Sequence, residues 1–107
     1  MDIDRDIGQH LLVSNPVRLR QLLDEHLCAP FPDSVVKGES LGEVDVVMIG
    51  ADISEWSLSK LNGGLTEIQT DRLRQAALEL ANSLPLFPAE ATPYYAQLLE
   101  LANEALA

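Results

Sequence analysis

The chain carries a single cysteine, Cys28, among its 107 residues. No internal disulfide is possible, which sets aside the small secreted scaffolds that rely on bridges for a core. Bases are scarce too, with seven Lys and Arg against seventeen Asp and Glu and a formal charge of -10. Affinity for nucleic acid comes mainly from Lys and Arg displacing counterions, so no binding to DNA, RNA or an anionic membrane is expected. The apolar stretch VVMIGA falls far short of the about 20 residues a membrane span needs. MDIDRDIGQH has three aspartates in its first six residues and neither the basic start nor the apolar run of a signal peptide. The expectation is a soluble cytoplasmic protein.

Recognisable catalytic and ligand motifs are missing as well. The only histidines, His10 and His26, belong to no HExxH or Cys/His zinc pattern. GxGxxG and GxxxxGK[ST] do not occur, and the alternating acids of a calcium loop are replaced by apolar residues in DVVMIGAD. No metal or cofactor is expected. Asp33, Ser34 and Val35 resemble the Asp-Ser-Leu at which acyl carrier proteins take phosphopantetheine, and size and acidity match. In that family the serine opens a long amphipathic helix, whereas VVKGES follows here, a strand-like stretch with a glycine.

What is present describes a folded domain. With 47% hydrophobic and 22% charged residues, the composition is globular and not disordered. The length suits one domain, residues 1–107. Such a domain buries roughly 60 to 70% of its unfolded surface and needs no staple.

Residues 14–27, SNPVRLRQLLDEHL, predict a helix capped by Ser14 or Asn15 with Pro16 in its first turn. Leu19, Leu22, Leu23 and Leu27 make its apolar stripe, with His26 on or near it, donating to a carbonyl close to the helix end. Cys28 reads as a buried apolar thiol. APFPD, residues 29–33, is a turn. SVVKGES and VDVVMI, on either side of LGE, predict an antiparallel hairpin, with VVMI central in a small sheet and SVVKGES at its edge. A short helix is expected over 52–62, stopped by Gly63 and Gly64. Thr66 with Gln69 forms a capping box for a longer helix that runs to about Leu84, ahead of Pro85. Its stripe is Leu73, Ala77, Leu80, Ala81 and Leu84. Thr92 and Pro93 start the last helix, where Leu98, Leu99, Leu101, Ala102, Ala105 and Leu106 cover more than half the circumference. So apolar a helix is either wedged between other elements or partly reserved for another chain. The fold class expected is α+β, a small antiparallel hairpin or sheet packed against three main helices and one short one.

The acids are unevenly placed. Between Lys37 and Lys60 lie Glu39, Glu43, Asp45, Asp52 and Glu55 with no base among them, and after Arg74 there are only acids. Asp52 and Glu55 have the spacing of a capping box, an assignment that needs no substrate. Trp56, the only tryptophan, reads as a core plug or as an interface anchor ringed by acids. The function expected is non-enzymatic: a protein-binding domain that presents Glu39, Glu43, Asp45, Asp52, Glu55 and Trp56 to a basic protein partner, the acids speeding association and the aromatic supplying burial. Bacterial immunity proteins and antitoxins are similar in size and acidity, though no motif is shared. The alternatives are a small enzyme using Asp52 or Glu55 as general acid or base with Tyr94 or Tyr95 reaching in, and a homo-oligomer joined through the C-terminal helix.

Overall fold

A computed structural model describes residues 15–107. His10, Ser14 and the acidic first residues fall outside that range. Four helices and a two-stranded antiparallel hairpin make up the described fold, which is α+β.

Helix α1 spans Pro16–Cys28. The Asn15 side chain accepts from the amides of Val17 and Arg18 at 3.0 and 3.3 Å, which satisfies two of the amides a helix start leaves unpaired. Leu19, Leu22, Leu23 and His26 are buried, while Leu27 is 64% exposed. The stripe thus closes on His26 and not on Leu27, because positions three, four and seven along share a face more closely than position eight. Cys28, at the helix end, is exposed, contrary to the buried thiol expected. Pro30 disfavours helix at the preceding residue, and Ala29 is extended.

The hairpin lies where expected but is much shorter. Strands β1 (Ser40–Leu41) and β2 (Val44–Asp45) pair Ser40 with Asp45 and Leu41 with Val44. The two-residue turn has Gly42 at φ +61 and Glu43 at ordinary φ, the pattern of a glycine-first hairpin turn. Gly42 is doubly constrained, since a β-carbon there would lie 2.5 Å from the Ser83 hydroxyl. Of SVVKGES only Ser40 enters a strand: the Val36 amide donates to the Glu39 carboxylate and the Glu39 amide to the Val36 carbonyl, closing a turn ahead of it. Ser34 opens no helix.

The apolar run after the hairpin is helical, which corrects the central strand expected for VVMI. Helix α2 spans Met48–Leu61. Val44 and Val46 are buried in strand alternation, then Ile49, Ile53 and Ser57 are buried at helical spacing while Val47 and Met48 face out. The switch is made by Asp45, whose Oδ1 accepts from the amides of Val47 and Met48 at 2.9 and 2.8 Å. The helix therefore begins earlier than expected, and Asp52 and Glu55 lie inside it and do not cap it.

Helix α3 (Glu67–Ser83) starts with the expected capping box, Thr66 and Gln69 each satisfying the other's amide. It passes into a short 3-10 turn, Leu84–Leu86. Helix α4 (Thr92–Leu106) packs against α1, α2 and α3. Tyr95, Leu98, Leu101, Ala102 and Ala105 are fully buried, and Leu99 and Leu106 are partly so. Its apolar girth follows from this central position, with helices of the same chain around it. The Tyr95 hydroxyl donates to the Val46 carbonyl at 2.7 Å, tying α4 to the hairpin-to-α2 junction. No helix among the described residues is long and apolar enough to cross a membrane.

Candidate acidic groove

Because α2 starts directly after β2, Asp45 and Asp52 stand on neighbouring elements that face one wall of α3. The result is a groove of about 470 Å³ between the hairpin, α2 and α3. Glu43, Asp45, Asp52 and Glu79 bring carboxylates to it, and Trp56 and Met48 bring apolar surface. Trp56 is both core and groove: it is half-buried, packs against the hydrophobic core, and still lines the cavity.

Four of the six residues expected in a partner surface are therefore together here: Glu43, Asp45, Asp52 and Trp56. Glu55 is exposed and does not line the groove, although its charge reaches Asp52. Glu39 lies apart, its carboxylate engaged by the Val36 amide. Glu79 was not foreseen. It shares a face of α3 with Arg72, Gln75 and Ala76, and Gln75 donates to it at 2.9 Å. That spacing was visible in the sequence, but which helix the face would meet was not.

Electrostatically the groove is under-compensated. Burial, then the charges of Glu55 and Asp45, push the Asp52 carboxyl above its ordinary value. The Asp45 carboxylate is held in place by two amides through its Oδ1. The ion pairs among the described residues lie elsewhere: Arg18 with Glu100 and Glu104, Arg20 with Asp24, and Arg74 with Asp71. Among the described residues Arg72 is the single base lining the groove, and it forms none of these pairs. No group of three His, Cys, Asp or Glu among the described residues is placed to hold a metal ion.

The other residues weighed for chemistry do not line this groove. Tyr95 is fully buried, and burial raises its hydroxyl far above the ordinary value, with smaller contributions from Tyr94, Asp45 and Glu39. Tyr94 lines a different cavity, beside Phe31 and Pro93. Among the described residues the His26 Nδ1 has no hydrogen-bond partner, so the expected bond to a helix-end carbonyl is not formed through it. The ring packs instead against Tyr94, centroids 5.2 Å apart, and against Gly50, where a β-carbon would lie 3.3 Å from Nε2. Burial lowers its pKa.

Comparison with family models, with curated proteins and with solved structures returns no match for this chain.

Proposed function

We propose that the chain is a small, acidic, non-enzymatic protein-binding domain of the cytoplasm, which engages a basic protein partner through the groove between the hairpin, α2 and α3. An immunity-like, antitoxin-like or regulatory role fits such a domain. The observation that supports this reading is the convergence of Glu43, Asp45, Asp52 and Glu79 beside the half-buried Trp56 indole, with no ion pair among the described residues to offset them. Carboxylates held unpaired near an aromatic surface steer a cationic partner in and give it something apolar to cover once it arrives. A Lys or Arg brought against Asp52 would also favour its ionised form, which the isolated groove disfavours.

Trp56 is the only tryptophan, so its fluorescence reports on this groove alone. The test starts with affinity capture from native lysate at low and high salt, followed by stopped-flow association of the captured partner with the intact chain. The reading expects a Trp56 signal on binding and an association rate that falls steeply with salt. It also expects the triple variant Glu43→Gln, Asp52→Asn, Glu79→Gln to associate more slowly. A rate indifferent both to salt and to those substitutions would overturn it.

The raised carboxyl of Asp52 is also what a general acid requires, which keeps a small enzyme as the second reading. Tyr94 and Tyr95, the partners considered for it, are not in the groove. Asp52→Asn separates the two readings: a folded protein that still binds its partner favours the first.

A further inference from the structure

A second groove, of about 510 Å³, lies on another part of the molecule between α1, the proline-rich loop after it, and the start of α4. Its apolar walls come from Phe31 and Tyr94, whose rings meet edge to face at 6.0 Å and 75°, and from Pro30, Pro32 and Pro93. Glu25, Asp33 and Glu90 line it as well, all three are exposed, and among the described residues no Lys or Arg does. Gln97 completes the wall, with its Nε2 donating to the Leu22 carbonyl at 2.8 Å, which fixes the amide and leaves its oxygen as an acceptor.

We propose that this groove is a receptor for an arginine side chain of a partner polypeptide. Aromatic faces attract cations through the ring quadrupole, and a guanidinium adds a plane that stacks and a fork that pairs with carboxylates. The chain itself shows the first of these at Phe31, where Lys37 places its ammonium 5.4 Å from the ring centroid, an internal cation that an incoming guanidinium displaces from the ring. Lys37 does not line the groove, and among the described residues Glu25, Asp33 and Glu90 form no ion pair. The proline and tyrosine surface receives the methylene stem, which lysine shares, but only the guanidinium can stack on a ring and bridge two acids at once. The proposal is independent of the Trp56 groove and stands or falls separately.

The test uses the intact chain, labelled with nitrogen-15, at low ionic strength. It is titrated with the blocked pentapeptide acetyl-Gly-Gly-Arg-Gly-Gly-amide and with its lysine and citrulline counterparts. The arginine peptide is expected to shift the amides of Phe31, Asp33, Glu90 and Tyr94, independently of any change in Trp56 fluorescence. Lysine should bind several fold more weakly, at about the difference a stacked fork makes over a point charge, and neutral citrulline should not bind measurably. The variant Glu25→Gln, Asp33→Asn, Glu90→Gln alters only exposed side chains, and should weaken the arginine peptide on the order of tenfold through three screened charges. Equal shifts from citrulline, undiminished binding by that variant, or shifts confined to the Trp56 groove would each overturn the proposal.

Discussion

Tyr95→Phe removes one oxygen and nothing else from the centre of the molecule. The hydroxyl is the donor to the Val46 carbonyl at 2.7 Å, and both residues are at most 1% exposed. Without it the carbonyl is left buried and unpaired, a change that costs about 1 to 3 kcal/mol. For 107 residues the unfolding entropy is about 0.22 kcal/mol/K, so a loss of ~1.5 kcal/mol lowers Tm by about 7 °C. Val46 directly follows the Asp45 cap, so the loosened carbonyl is also expected to raise amide exchange at Val47 and Met48, at one wall of the acidic groove. Thermal unfolding by circular dichroism measures the first effect and hydrogen exchange the second. A Tm within about 1 °C of the parent would refute the reasoning, since it would mean that water or a relaxed backbone replaces the hydroxyl at no cost.

Asp45→Ala should destabilise by about 1 kcal/mol through loss of the α2 cap, while Asp52→Asn should not, and urea denaturation of both variants checks the contrast. The sign for Asp52 follows from its raised pKa: the folded state holds the proton more tightly, so this group's contribution to stability falls as pH rises through the range just above the ordinary carboxylate value. Asp52→Asn should flatten that part of the stability profile, and an unchanged slope would contradict it. His26 works in the opposite direction: burial lowers its pKa, so the unfolded chain takes up a proton that the fold refuses, and stability drops as pH falls below about 6.5. Stability measured against pH in His26→Gln should lack that drop.

The elements that could be read in advance are those whose signals are local. Asn15 before Pro16, Thr66 with Gln69, and the paired Gly63 and Gly64 fix helix ends by satisfying backbone groups within a few residues. VDVVMI could not be divided correctly by the same means. Its apolar residues suit a buried strand or a buried helix equally, and only the position of Asp45 and the burial of Ile49 and Ile53 at four-residue spacing decide it. The glycine-first turn at Gly42 and Glu43 was the available clue to a tighter hairpin. Among the expected site residues, Asp45 and Asp52 meet in one groove because the strand-to-helix switch falls between them, and Glu39, ahead of the hairpin with its carboxylate on the Val36 amide, does not line it.

The amino-acid order by itself determined an excess of acid, four helical segments with the caps of α1 and α3, and a hairpin around Gly42. These depend on backbone satisfaction and side-chain periodicity, which act over one or two turns of chain. Tertiary structure alone decided that Glu79 joins acids more than thirty positions away at Asp45, that Trp56 is at once core and groove wall, and that Phe31 and Tyr94 form one cavity. The physical reason is that helix faces are chosen by what packs against them, and α4, which buries Tyr95, Leu98, Leu101, Ala102 and Ala105 against the other three helices, sets how α1, α2 and α3 are turned.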